Sequence, residues 1–296
     1  MARMRADRVD TPPRLGVMSA ESRTGVTDLV SLGALAARIP SGAKLALPAD
    51  YAGVAMAATA PLIAGGARDL HLVCVPTGGL QVDLLIGAGR VRLLETSAVT
   101  LGEAGGAPAF GRTVRDGAIA LLDATCPAIL SGLTAAQKGV PFIPMRGLIG
   151  SDILRVRPDW RVIENPFTAG DAIVAIPAIR PDIALFHAAE ADRDGNVWIG
   201  RRRELALMAY AAQTSLVTVE RIRDASLLDD EVTAAGVLPA LYVGAIAHVP
   251  KGASPYGLWG EYPADTAEIA RYAEAARTEA GFAAYLDRFL GAPAFA

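Results

Sequence analysis

Short apolar runs recur along the chain, with turns and segments of helical spacing between several of them. They are KLAL (44–47), HLVCV (71–75), VRLLE (91–95), AIVAI (172–176), IALF (183–186) and LVTVE (216–220). Runs this short and continuous read as strands buried on both faces, since a half-exposed strand would alternate apolar with polar residues. Segments 29–39, 54–64, 81–86, 128–138 and 203–213 carry helical patterns between them, and the breaks fall at Pro40-Ser41-Gly42, Pro76-Thr77-Gly78-Gly79 and Gly87-Ala88-Gly89. This order predicts an α/β fold, an open and mostly parallel sheet with helices on both faces. The two prolines of VPFIP (140–144) suit a loop or a sheet edge. The Ala-rich tail 265–290 reads as a packing helix pair split near Gly281. No repeat or linker interrupts the chain, so 26–296 is read as one α/β domain behind a polar N-terminal arm, 1–25.

Charge removes several functions. Lys and Arg number 28 against 31 Asp and Glu, a formal net charge of -3 without the basic excess of a nucleic-acid or anionic-membrane binder. The two cysteines, Cys74 and Cys126, lie far apart and form neither a disulfide framework nor a zinc motif. The arm has no apolar signal-peptide core. The most apolar window, 51–67, is cut by Pro61 and Gly65-Gly66 and falls short of the roughly 20 residues that cross a bilayer. A soluble, cytoplasmic protein without a bound metal is expected.

The richest candidate stretch is PDIALFHAAEADRDGNVWIG (181–200). A strand at 183–186 would pass through His187, Glu190 and Asp192 into the turn Asp194-Gly195-Asn196, then resume as Val197-Trp198-Ile199. Loops at the carboxyl ends of strands in open α/β sheets are where ligands bind, which makes Glu190, Asp192 and Asn196 site candidates; a plain strand-turn-strand corner is the alternative. His187 is either a catalytic group or a structural hydrogen-bonding one. The turn Thr77-Gly78-Gly79 offers backbone N–H groups to an anion or oxyanion, or is only a tight connection. Glu95 ends its strand either in the same crevice or as an exposed loop acid. Cys126 has no nearby histidine and fits a buried thiol. Phosphate-loop, His-Glu-x-x-His and Gly-x-Ser-x-Gly motifs are absent, and Gly87-Ala88-Gly89 lacks the third glycine of a dinucleotide fingerprint.

The same stretch, with LVTVERI (216–222), HVPKGASPYG (248–257), the tail RYAEAARTEAGFAAYLDRFL (271–290), PTGGLQVDLLIGAGRVRLLE and GLTAAQKGVPFIPMRGLIGSDIL, resembles the family I coenzyme A transferases. Within them the match is to the A (alpha) subunit of the glutaconate CoA-transferase branch, over about 44–290. The resemblance implies a hetero-oligomer of A and B subunits with the active site at their interface. It implies ping-pong transfer of CoA from an acyl-CoA to a small carboxylic acid, with CoA as substrate and no permanently bound cofactor. In that chemistry a glutamate attacks the thioester, which splits one hard acyl exchange into two easier ones. On this reading Thr77, Gly78 and Gly79 line the acyl or CoA end of the interface, with Glu95, Glu190, Asp192 and Asn196 as secondary candidates.

The departures are specific. The family's nucleophile sits in a Ser-Glu-Asn-Gly type motif of the B subunit; none occurs here, so no catalytic nucleophile is expected on this chain. LPADYAGVAM stands where many relatives carry a glycine-rich loop. Asp123-Ala124-Thr125-Cys126 replaces an acidic pair of steroid-degrading relatives, and Ser254 replaces the histidine of a Gly-Ala-His-Pro segment. Two other expectations stand beside the transferase: a subunit of an acyl-CoA or ring-opening hydrolase, and a noncatalytic scaffold subunit.

Overall fold

The computed structural model of the chain describes residues 27–291, and the polar arm expected at 1–25 lies outside the described residues. In chain order the first half runs β1 (Asp28–Leu29), α1 (Leu32–Ala36), β2 (Lys44–Pro48), α2 (Thr59–Ala64), β3 (Leu70–Val75), α3 (Leu80–Gly87), β4 (Val91–Thr96), α4 (Pro108–Arg115), β5 (Ala120–Asp123) and α5 (Cys126–Gln137). The second half runs β6 (Phe142–Met145), α6 (Ile153–Val156), β7 (Arg161–Glu164), β8 (Ala172–Pro177), β9 (Ile183–Asp192), β10 (Val197–Trp198), α7 (Arg203–Ala211), β11 (Thr214–Arg223), α8 (Glu231–Ala234), β12 (Val237–Leu238), β13 (Val243–His248), α9 (Thr266–Ala275) and α10 (Glu279–Gly291).

The main sheet has ten strands in the order β1-β13-β11-β9-β2-β3-β4-β5, every neighbour on that path parallel. β10 and β12 join antiparallel beside the far end of β9. The continuous apolar runs follow from burial on both faces. Ala46, Val73, Val75, Ala184 and Phe186 pack with Ile129 and Leu133 of α5 and with Leu205 and Met208 of α7. The residues between them, Leu45, Leu47, Leu72, Cys74 and Leu185, pack with Leu35 of α1, Leu62 of α2 and Val82 and Leu85 of α3. Each fully buried Leu contributes about 1.5–3 kcal/mol over its exposed state, so both helical layers are held by the strands' own alternation. Among the described residues no helix is long and apolar enough to cross a membrane.

Two expectations shift. AIVAI forms β8, but in a separate three-stranded antiparallel sheet, β6-β8-β7. An apolar run is the same for parallel and antiparallel partners, and those partners, FIPM with its proline and RVIE with its two charges, carry little strand signal. Pro144 is tolerated because β6 is an edge strand. The tail helices break at 276–278, not at Gly281, which lies in the first turn of α10. A Cβ at Gly281 would land on the Ala275 carbonyl, so this glycine allows α10 to approach the end of α9.

The loop before β7 is anchored under the main sheet by Arg157, which is 2% exposed. Its Nη2 donates to Glu95 Oε1 at 2.8 Å, its Nη1 to the Asp123 carbonyl at 3.2 Å, and its Nε to Asp159 Oδ1 at 2.9 Å. The guanidinium lies 4.2 Å over the Trp160 ring. Lys44 Nζ and His71 Nε2 stand 3.6 Å and 3.7 Å from Glu95 Oε2. Burial alone would raise the Glu95 pKa; His71, Lys44 and Arg157 outweigh it and hold the carboxyl at about 2, against an ordinary 4.5. The resulting stability is present above about pH 4.5 and is lost on acidification from there toward 2. Removing one partner leaves a buried charge uncompensated, so Arg157→Met should cost about 3–5 kcal/mol in urea unfolding at pH 7, with a smaller penalty at pH 3.

Candidate active site

Strands β2 and β9 pair only through Leu45–Ile183 and Ala46–Ala184 and then part. From this seam the chain builds β3, β4 and β5 to one side and β11 and β13 to the other, which makes it the topological switch point where open α/β sheets hold ligands. The loop after β2 fills the opening. The His187 amide donates to the Gly53 carbonyl at 2.8 Å, and Gly53 has φ +96°, with a Cβ there landing on the His187 carbonyl. Only glycine allows this approach.

Asp50 projects from the same loop. Its carboxylate lies flat against Gly79, where an added Cβ would overlap both oxygens, at the start of α3. The Tyr256 hydroxyl stands beside it and accepts the Leu80 N–H at 2.6 Å. Burial raises the Asp50 pKa and the Tyr256 bond lowers it, leaving about 6. No Lys or Arg among the described residues forms a salt bridge with it.

Beside Asp50 opens a cleft of about 720 Å³ between α5 and α7, a size suited to a small molecule. Its lining includes Leu130 and Thr134 of α5, Arg203, Glu204 and Tyr210 of α7, and both neighbours of the Asp50 pocket, Tyr51 and Pro76. Tyr51 is 71% exposed at the mouth. One turn above Leu130, at the start of α5, Cys126 is exposed with its Sγ 3.1 Å from Ser97 Oγ; the expectation of a buried thiol falls because Thr125 caps the helix and leaves position 126 at its open end.

The residues singled out by sequence do not form one group. In the turn Thr77-Gly78-Gly79, Gly78 N donates to the Ala98 carbonyl at 2.9 Å, so one of the amides that suited an oxyanion already has a partner, and the Leu80 amide that follows donates to Tyr256. Glu95 belongs to the buried Arg157 network and is not an exposed loop acid. Strand β9 runs on to Asp192, past the end expected at 186, because β11 pairs with it as far as Arg223. His187 therefore lies inside the sheet, fully buried, with Nδ1 2.8 Å from Thr218 Oγ1 and Nε2 2.6 Å from Glu220 Oε1. Burial opposes the Glu220 charge, but His187, the Tyr262 hydroxyl and the Lys251 amide hold its pKa near 2.

Asp192 accepts from Asn196 N at 2.8 Å, Asn196 Nδ2 at 2.9 Å and Leu227 N at 2.9 Å, and Asn196 Oδ1 accepts from Ala240 N. These bonds close a hairpin corner. Glu190 stands 3.7 Å from Arg223 on the next strand. Asp50, Tyr51 and Tyr256 escaped the sequence reading, although an acid directly after an apolar strand, as in LALPAD, is the signal that would have found the first.

Residues 31–247 match the model of the family described as Coenzyme A transferase. The chain is 35% identical to the A-type subunit of the 3-oxoadipate CoA-transferase of Pseudomonas knackmussii, across 79% of this chain and 83% of that protein. Its fold superposes on the decarboxylase AibA/AibB with TM-score 0.80 and 32% identity, covering 90% of this chain and 99% of that one. On the glutaconate coenzyme A-transferase of Acidaminococcus fermentans the values are 0.81 and 26%, covering 89% of each. The sequence, the parallel sheet and the cleft at its carboxyl edge thus agree: the chain belongs to the coenzyme A transferase family.

Proposed function

We propose that this chain is the A (alpha) subunit of a heteromeric, cytoplasmic CoA-transferase that moves CoA from an acyl-CoA to a small carboxylic acid, with the nucleophilic glutamate supplied by a B (beta) subunit. The observation that carries the reading is a substrate-sized cleft whose mouth stays open at Tyr51, in a chain whose relative, matched over most of both lengths, is named for the corresponding subunit of such an enzyme. A second subunit docking at that mouth would bring a carboxylate to the thioester and exclude water from it.

In this arrangement the acyl group lies along Leu130, Thr134 and Tyr210. The turn Thr77-Gly78-Gly79, which continues from Pro76 at the cleft wall, borders the thioester end. Glu95, Glu190, Asp192 and Asn196 act behind it, fixing the strand ends by the bonds described above. CoA is a substrate throughout, and no resident cofactor is needed.

The purified chain alone should show no acyl exchange. With its B subunit it should convert acetyl-, succinyl-, glutaconyl- or benzoyl-CoA only when an acceptor carboxylate is present, as followed by chromatography of the acyl-CoA products. Borohydride reduction or hydroxylamine cleavage of an enzyme-bound thioester should then map to a glutamate of the partner. Exchange by the isolated chain would refute the division of labour, and release of free CoA without an acceptor would select the hydrolase.

Filling the cleft tests its assignment. Thr134→Phe adds bulk opposite Arg203 and should lower kcat/KM of the complex by about 10–200-fold, with the assembly intact by gel filtration.

A further inference from the structure

We propose that Asp50 is the proton carrier of the acyl exchange, handing a proton to the departing coenzyme A sulfur and recovering it when that sulfur attacks again. The inference rests on the transferase reading and adds to it a residue that this chain contributes to the chemistry.

The geometry separates Asp50 from the chain's other acids near the sheet. Glu95, Asp192 and Glu220 are buried and engaged by cations or several donors. Asp83 is buried as well, accepting from Ala109 N, Phe110 N and the Tyr272 hydroxyl. Asp50 is only half-buried. One side is pressed on Gly79 and held by Tyr256, and the residues flanking that pocket, Tyr51 and Pro76, both line the cleft. Asp50 sits one residue from Tyr51 at the cleft mouth and against the turn that continues from Pro76, and a half-buried acid fixed at such a rim keeps its position while it exchanges a proton.

The steps balance. The partner's glutamate carboxylate attacks the acyl-CoA carbonyl, the C–S bond breaks, and the acyl group forms an anhydride with the glutamate. The electron pair leaves on sulfur, and protonated Asp50 gives its proton to that thiolate, becoming a carboxylate. In the next step the Asp50 carboxylate takes the proton from the thiol as sulfur attacks the glutamyl carbonyl of the anhydride. The C–O bond breaks, the first acid leaves as a carboxylate, and the enzyme holds a glutamyl-CoA thioester. The acceptor acid runs the same two steps in reverse, and Asp50 ends as it began.

A carboxyl near 6 suits this task better than one near 3.8, because it keeps a useful protonated fraction close to neutral pH and still gives its proton readily to a thiolate, whose conjugate acid is near 8.5 for a cysteine-like thiol. Few groups disturb it. Facing Asp50 are Tyr256 from the loop after β13 and Cys74 from β3, with Asp83 of α3 acting on Tyr256. Burial pushes the Cys74 thiol up to about 12 and Tyr256 well above its usual range, so both stay neutral where Asp50 titrates. The proton-donating form is lost as pH rises through about 6, so thioester cleavage should fall by about tenfold per pH unit on the alkaline side.

The test uses the A–B complex with the best donor of the acyl-CoA panel, measuring kcat for transfer between pH 5 and 8.5. Asp50→Asn should lower kcat about 100-fold or more, keep KM within about threefold and abolish the alkaline limb, with assembly and melting temperature unchanged. Tyr256→Phe removes the bond that lowers the Asp50 pKa and should move the limb to higher pH; this variant decides the matter if Asp50→Asn fails to assemble. An unchanged kcat and limb in Asp50→Asn, an unmoved limb in Tyr256→Phe, or a limb that responds to Glu204→Gln instead would overturn the proposal. A wild-type complex inactive on the whole panel would sink the transferase reading and this inference with it. An active wild type with an indifferent Asp50→Asn would sink the inference alone.

Discussion

The hydrogen bond from the His187 amide to the Gly53 carbonyl closes the seam on which the rest of the structure depends. There β2 and β9 stop pairing, and without a plug the sheet would open between its two halves. The plug is a backbone loop, which needs a glycine on one side and a rigid strand on the other. Rigidity comes from the His187 side chain, held between Thr218 and Glu220. Glu220 in turn accepts from Lys251 N and Tyr262, fixing the loop after β13. Gly252 of that loop packs on the His187 ring, and its carbonyl accepts from Ala57 N. Tyr256, a few residues on, reaches Leu80 and Asp50. The position of Asp50 is therefore set from both ends, by the loop that carries it and by a polar chain that starts at the histidine beneath that loop.

Patterns that depend only on burial were legible in the sequence. KLAL, HLVCV and VRLLE became β2, β3 and β4 because their alternate residues meet helices on opposite faces. Patterns that depend on a distant partner were not. β9 extends to Asp192 because β11 and β10 lie beside it, and its polar residues His187 and Asp192 are paired inside the fold by groups 31 and 35 positions away. A polar residue within a strand and one beyond its end look the same in sequence when the partner donors come from elsewhere. Gly79 was visible as a turn residue, but its reason, room for the Asp50 carboxylate, exists only in three dimensions.

Desolvation explains why the conspicuous acids became frame and a quiet one became the candidate for chemistry. A carboxylate removed from water must be paired or supplied with several donors, and the groups that satisfy it also occupy its lone pairs. Glu95, Asp192 and Glu220 meet that condition fully, which makes them good struts and poor reagents. Asp50 meets it in part, half-buried and beside a single hydroxyl. Burial raises its pKa toward neutrality, only partly offset by that hydroxyl, and its remaining exposure leaves room for another molecule, the two conditions that proton transfer sets.

The loops that end the strands can therefore change chemistry without disturbing the sheet. Residues 49–53, 76–79 and 249–256 meet at the seam; Ala52, Val249 and Tyr256 pack into the apolar layers, whereas Asp50 and Tyr51 stand outside them. Replacing Asp50 changes one polar contact with Gly79 and Tyr256, whereas moving His187 would loosen the seam itself. A solved structure 32% identical to this chain is named as a decarboxylase on nearly the same fold. That is the pattern expected when the core fixes where a thioester can lie and a few residues at the strand ends decide what happens to it.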